Sequence, residues 1–364
     1  MSAGVRGKSV ELVTMGVQTL YSLSASRLKV ADNILKAGLT EGLFTHANCA
    51  VALHGVIVAS GSFGAATQDT VYDLASLTKP MATATMVMQL VEDGQIHLLQ
   101  PLDTFFSEEY GLLPHLTDIE LRHLITHTSG LPPLPRWPAD TSGISRAEFI
   151  RSALSTPTLR PAGQGFTYSD TGYILLGEVA SRTAGIPLDK LFQERVAEPL
   201  KLKNTEYAPS SKLRTRIAPT SGQTKPGVIH DPRAQGLGGI AGHAGLFGSA
   251  LDVLQYCEAV RKHGGGILSR ASVSRMTVSQ IDRSIGSQSY GFFCAGNDYL
   301  PSGDLFSSRA FGHSGFTGTL LLVDPEYELS LALLTNRVVN EKEDGSRFLR
   351  LRRYWLNAMA ASIV

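Results

Sequence analysis

Three short segments of this 364-residue chain carry side chains that could converge on one carbonyl group. In the first, Ser76 precedes Lys79 by three residues. A serine hydroxyl is a poor nucleophile until a base takes its proton, and a neighbouring amine serves if it is neutral. Three residues is close to one helical turn, so a helix would stack the hydroxyl and the amine on one face. The first amides of that helix would also aim N–H groups at whatever lies beside Ser76. The second segment is Tyr168-Ser169-Asp170. A tyrosine hydroxyl near a lysine can relay protons, because an adjacent cation favours the phenolate. The third is His313-Ser314-Gly315. Gly315 would let the following backbone approach a substrate, so that the N–H of Phe316 completes an oxyanion hole with that of Ser76.

Each segment also has a plain structural reading. A Ser-x-x-Lys arises by chance about once in a chain this long, and an N-capping serine beside a solvated lysine accounts for it. Tyr168 alone reads as a core tyrosine and His313 alone as a hydrogen-bonded histidine at a strand edge. Only the three together carry a chemical argument.

The elements that must position them follow from periodicity. Val71 to Gly94 reads as a turn and then a long helix, with Ala82, Met86 and Leu90 on its apolar face and Asp93-Gly94 as its stop. Ser24 to Lys36 carries helical spacing, and the β-rich runs from Cys49 and from Val56 to Gly64, separated by Gly55, form a hairpin. Helices are expected over Thr117–Thr126, Ser145–Ser152, Tyr173–Ala184, Asp189–Glu198 and Ala250–Lys262. Thr128 to Pro138 is a proline-rich loop, and residues 236–248, with six glycines, form a tight loop close to other backbone. His313-Ser-Gly315 opens a strand over Thr317–Val323, which turns at Asp324-Pro-Glu-Tyr into Leu329–Thr335. A closing helix spans Ser346 to Ala361 with Ser346 as its N-cap.

Strands at both ends and helices between them define an α+β fold. An antiparallel sheet built from both termini is flanked by helices, and a mostly helical domain is inserted in it. Residues 24–78 and 285–364 form the sheet part and 79–284 the helical part, with the active site between them.

The bulk properties narrow the function. Hydrophobic residues make up 43% of the chain and charged ones 18%, an ordinary globular composition. Lys plus Arg (33) nearly balance Asp plus Glu (32), which points away from nucleic acid as a partner. No stretch is long and apolar enough to span a membrane. Cys49, Cys257 and Cys294 are widely spaced, lack a metal pattern and read as reduced core residues, so the cytoplasm is the expected compartment. Export to the periplasm or medium is the alternative, because Arg6 and Lys8 precede a partly apolar run over Val10–Leu23. Glu11, Thr14, Gln18 and Thr19 interrupt that run.

Taken in order, Ser76-x-x-Lys79, Tyr168-x-Asp170 and His313-Ser-Gly315 resemble the motifs of the serine β-lactamase and penicillin-binding-protein superfamily. The chain looks like its class C β-lactamase, D-alanyl-D-alanine carboxypeptidase and family VIII esterase branch. Arg122-His-Leu-Ile-Thr-His-Thr-Ser-Gly-Leu131, Gly172-Tyr-Ile-Leu-Leu-Gly177 and Leu334-Thr-Asn-Arg337 extend the resemblance. His230-Asp-Pro232 followed by Leu237–Phe247 is similar to a subgroup with muropeptide amidases and penicillin-binding protein 4B-like carboxypeptidases.

The resemblance implies a serine hydrolase that works through an acyl-enzyme without a cofactor. Its substrate would be a small molecule or muropeptide: a peptidoglycan-derived amide or a β-lactam. A family VIII type carboxylesterase is the alternative, and a penicillin-recognising sensor or catalytically silent scaffold a further one. It implies that Ser76 is acylated, that Lys79 and Tyr168 share the proton transfers, and that Asp170 and His313 occupy positions commonly held by Asn and Lys. An ionised Asp170 only accepts hydrogen bonds and would keep a nearby Lys79 protonated, which leaves Tyr168 as the base and Lys79 as a fixed cation. His313 in place of lysine removes a permanent charge, so uncharged substrates such as esters should be tolerated. His127, His230 and His243 match no compact zinc spacing, and no metal is expected. Gly312-His-Ser-Gly-Phe316 has Phe where the nucleophile elbow of an α/β-hydrolase needs Gly, so Ser314 is not read as the nucleophile.

Overall fold

The computed structural model describes residues 21–111, 113–137, 144–221, 225–340 and 345–364. The run over Val10–Leu23 falls almost entirely outside them, as do Arg6 and Lys8. Two antiparallel sheets are present among the described residues. The larger is built from β1 (His46–Leu53), β2 (Val56–Gly64), β6 (Phe293–Cys294), β7 (Phe311–Gly315), β8 (Thr319–Asp324) and β9 (Leu329–Thr335). Its order is β2-β1-β9-β8-β7-β6, so both ends of the chain meet where β1 pairs with β9. The smaller joins β3 (Tyr72–Asp73), β5 (Leu246–Gly248) and β4 (Glu206–Tyr207) in that order.

Alternation along the central strands divides the core in two. Leu320, Leu322, Leu331 and Leu333 point to one face, where helices Ala25–Thr40 and Ser346–Ala360 cover them with Leu35, Phe348 and Trp355. Leu321, Val323, Ala332 and Leu334 point the other way, into the larger core built mainly from the middle of the chain. With both faces covered, β8 and β9 are buried throughout.

Several expected elements differ in form. The segment after Ser76 is not one α-helix: a 3-10 turn (Ala75–Leu77) leads into a π-helical turn (Lys79–Ala84) and then an α-helix (Thr85–Glu92). Pro80 has no N–H to continue a regular ladder. Its carbonyl instead accepts the Thr85 and Tyr256 hydroxyls, each at 2.8 Å. His313-Ser-Gly315 does not open the following strand but lies in β7, which pairs with β8 across a turn at Phe316–Gly318. The closing helix is capped by Gly345 (φ 85°), with Ser346 as its first helical residue. The helix expected over Thr117–Thr126 shrinks to Leu121–Ile125, and an unforeseen one spans Arg270–Thr277. The hairpin of β1 and β2 is present, and the expected helix over Tyr173–Ala184 begins earlier, at Asp170.

The glycine-rich loop makes the close approach its composition demands. Gly242 packs on Gly177 of helix Asp170–Ala184, and a Cβ at Gly242 would collide with the Tyr173 carbonyl. This contact delivers the carbonyl groups of Gly242 and His243 to the segment after Ser76. They accept hydrogen bonds from Thr83 Oγ1 (2.6 Å) and Lys79 Nζ (3.0 Å).

Candidate active site

Ser76 sits one residue beyond a strained position. Ala75 has φ 47°, in the left-handed region that a Cβ disfavours, and the 3-10 turn that follows brings residues three apart onto one line. Lys79 Nζ therefore lies 3.0 Å from Ser76 Oγ. The lysine side chain is wholly buried, and its other contacts are His243 O at 3.0 Å and Asp170 Oδ1 at 2.7 Å. Burial opposes the lysine's charge, but Asp170 and Tyr168 outweigh it and hold the amine above its ordinary pKa.

Asp170 and Tyr168 are placed by the start of helix Asp170–Ala184. Ser169 caps it, accepting the Gly172 N–H at 3.1 Å, while the Ser169 N–H donates to His127 Nδ1 at 3.1 Å. The Tyr168 ring packs on the His127 ring (centroids 4.6 Å apart) and lies 4.9 Å from Lys79 Nζ. Lys79 and Ser76 are near enough to its hydroxyl to favour the phenolate. Burial pushes the phenol up, Lys79 pulls it back, and the net direction is upward. The resting site thus holds a phenol beside an ammonium, and burial works against the phenolate expected from the sequence.

His313 comes from β7. Its ring stacks on Phe293 with centroids 4.4 Å apart, and Nδ1 lies 2.9 Å from the Ser314 carbonyl, a contact that makes Nδ1 the donor. Burial and the nearby Lys79 charge lower its pKa to about 3, so the ring is neutral at physiological pH. The Tyr168 and His313 rings are 6.1 Å apart. Gly315 serves chain packing: a Cβ there would lie 2.6 Å from the Leu74 carbonyl and 3.2 Å from Ala75. Ser314 follows His313 on the same strand, partly exposed. Among the described residues the N–H groups of Ser76 and Phe316 have no hydrogen-bond acceptor, which leaves both free for a ligand oxygen.

Part of this group borders a cavity of about 350 Å³, with Lys79, His313, Ser314 and Gly315 outside its lining. Ser76, Tyr168, Asp170 and Phe316 line it, together with Asp231 and Arg233, whose place the sequence did not reveal. Asp231 caps the short helix Pro232–Gly236 and bonds His243 Nε2 at 2.9 Å. Burial would raise its carboxyl, but that bond and the capping amides hold it well below the usual range. A larger hollow of about 590 Å³, bordered by Thr277, Arg283, Cys294 and Arg309, contains none of these groups. Asp170, Asp231 and His243 bring ligand-type atoms within 4.8 Å of one another. Asp170 is committed to Lys79 and Asp231 to His243, so the trio is built as two pairs rather than as an open cation site.

A serine, a buried ammonium and a phenol gathered at one cavity fit a serine hydrolase of the β-lactamase type. Residues 31–354 match the family model described as Beta-lactamase, and the chain belongs to that family. It is 30% identical over 321 residues to a provisionally assigned D-alanyl-D-alanine carboxypeptidase of Salmonella heidelberg, covering 78% of this chain and 74% of that protein. A protein of the same description from Escherichia coli O157:H7 is 28% identical over 307 residues, 75% of this chain and 70% of its own. Among solved structures, EstCE1, a hydrolase with promiscuous acyltransferase activity, superposes with a TM-score of 0.75 at 22% identity, over 91% of this chain and 98% of its own. The octameric penicillin-binding protein homologue from Pyrococcus abyssi gives 0.70 at 23% identity, over 85% and 73%. Among the described residues no helix is long and apolar enough to cross a membrane.

Proposed function

We propose that Ser76 is acylated by an amide or ester substrate in the 350 Å³ cavity and that water then releases the acyl group. The observation that carries this reading is the contact of Ser76 Oγ with Lys79 Nζ, 3.0 Å, with the Tyr168 ring 4.9 Å from that amine and lining the same cavity. Because phenol and ammonium are both protonated at rest, Tyr168 works best as a shuttle. It takes the Ser76 proton as its own passes to the leaving group, so no free phenolate is required. Lys79, kept charged by Asp170, stabilises the negative charge that passes through Tyr168. The amides of Ser76 and Phe316 receive the developing oxyanion. Asp170, His313, Ser314 and Gly315 shape the site around them, between a sheet part (24–78 and 285–364) and a helical part (79–284).

For the acyl donor, the similarity to carboxypeptidases favours a peptidoglycan-derived amide, a muropeptide or a D-alanyl-D-alanine peptide. A second reading, a carboxylesterase, is favoured by the uncharged His313 and by Leu134 and Phe316, two exposed apolar side chains lining the cavity. The buried, separate cysteines Cys49, Cys257 and Cys294 support a cytoplasmic location for either.

A panel of D-alanyl-D-alanine peptides, muropeptides, β-lactams and p-nitrophenyl esters, run beside Ser76→Ala, tests the proposal, with intact-mass spectrometry following the adduct. Turnover lost in Ser76→Ala supports it, and the favoured substrate chooses between amidase and esterase. A permanent adduct without turnover would make the protein a sensor, and no adduct with any donor a silent scaffold.

A further inference from the structure

Asp73, the last residue of β3, lies three residues before Ser76 and enters none of the proton transfers above. Its buried carboxylate accepts a backbone N–H at each oxygen, from Ala75 at 2.9 Å and from His230 at 2.7 Å. Its backbone carbonyl accepts the Thr317 hydroxyl at 2.7 Å. One residue thereby joins three pieces of chain: the nucleophile turn, the loop that carries Asp231 and Arg233 to the cavity, and the turn that carries Phe316.

The bond to Ala75 has a specific task. Ala75 occupies the left-handed region (φ 47°), where a residue with a Cβ needs compensation. A carboxylate that accepts the N–H two residues on supplies it locally. The bond to His230 fixes the same turn to the opposite cavity wall, where the His230 ring stacks on Phe316 with centroids 5.4 Å apart.

We infer that Asp73 is a positioning residue for the acylation step: its carboxylate holds Ser76 in line with Lys79 and locks the nucleophile turn to the cavity wall at His230. The inference rests on Ser76 being the acylated residue. It also carries a signature in pH. Burial pushes the Asp73 carboxyl up to about 6 from 3.8, with the two N–H bonds opposing the rise and Asp231 adding to it. Once protonated, the oxygen that carries the proton accepts its N–H more weakly, which loosens one of the two ties. Neither Lys79, held above its ordinary value, nor His313, at about 3, changes charge in that range. The imidazoles of His230 and His243, on the same loop as Asp231, are the neighbours to be separated from it.

The test measures kcat, KM and the rate of fluorophosphonate labelling between pH 4.5 and 9 for wild type, Asp73→Asn, His243→Asn and Ser76→Ala. Wild type is expected to lose kcat as pH falls through about 6. Asp73→Asn cannot accept both N–H groups and is expected to lose about a hundredfold in kcat at neutral pH. Its KM should change little, and its remaining activity should show no acid limb. His243→Asn is expected to keep the limb. Wild-type kcat in a folded Asp73→Asn, or a limb removed by His243→Asn instead, overturns the inference. If Asp73→Asn does not fold, as read by circular dichroism, a wild-type profile flat from pH 5 to 7 overturns it. Labelling that survives in Ser76→Ala would refute the reading of Ser76, a separate failure.

Discussion

Lys79 Nζ and Asp170 Oδ1 lie 2.7 Å apart, the lysine wholly buried and the aspartate side chain 18% exposed. A buried lysine alone would tend to lose its proton, whereas this pair keeps the charge. Because the folded pKa lies above the ordinary lysine value of 10.5, the pair's contribution to stability is present in full below about that pH. It is lost as pH rises through the higher folded value.

Replacing Asp170 by alanine leaves the ammonium buried without its counter-ion and should cost about 3–5 kcal/mol, in the range for one broken partner of a buried pair. Asp170→Asn, with an amide oxygen still facing Lys79, should cost less. Denaturant unfolding from pH 7 to 11 checks both. The wild-type advantage over Asp170→Asn should shrink above about pH 10.5. An advantage unchanged at pH 11 would mean that the ion pair is not its source.

His313 is held neutral by burial and by the Lys79 charge, with a pKa of about 3. The preference between neutral and carboxylated acyl donors should therefore stay flat from pH 5 to 8 in competition assays, with the neutral donor accepted. His313→Lys should move the preference toward the carboxylated donor by about tenfold, the value of roughly one charge-assisted hydrogen bond. A wild-type preference for carboxylated donors that grows as pH falls through 6.5 would show that the ring does charge.

The sequence exposes the parts of the site that rest on local spacing. Ser76 and Lys79 are three residues apart, and Tyr168 and Asp170 flank a capping serine, so their proximity is written in short-range pattern. The paired strands β8 and β9 are equally plain, because both faces are covered and the runs are almost wholly apolar. What escapes is decided at long range or against local propensity. Phe311-Gly-His-Ser-Gly315 carries two glycines and two polar residues and reads only as the opening of the next strand, yet pairing with Leu320–Val323 makes it a strand of its own. The π-helical turn arises from Pro80 together with Thr85 and Tyr256, the latter 176 residues away. Asp73 meets His230 across 157 residues, a partnership no periodicity announces.

Tyr168→Phe removes only the hydroxyl. The ring contacts with His127, Tyr299 and Phe293 are kept, so the fold and its unfolding midpoint should change little. Single-turnover acylation by an activated ester should fall by about 10²–10⁴-fold, the worth of a positioned proton carrier. The loss should be smaller for a good leaving group such as p-nitrophenolate than for an amide, since the former needs no proton to depart. Equal losses for both would place Tyr168 on the nucleophile side alone.

Gly242→Ala tests how the glycine-rich loop supports the site from outside the reacting groups. A methyl group there meets the Tyr173 carbonyl and the Gly177 backbone, neither of which can rotate away. The loop must shift, at an expected cost of about 1–3 kcal/mol, and it carries away the His243 carbonyl that receives Lys79 at 3.0 Å. Lys79 would keep its contact with Asp170 but lose the His243 carbonyl, and with it the orientation toward Ser76 Oγ. The expected result is a fall in kcat at least as large as the stability loss would suggest, with the protein still folded at 25 °C. Thermal unfolding and kcat measured on the same preparation check this, and a destabilised variant with unimpaired kcat would show that the loop supports the fold without aiming the lysine.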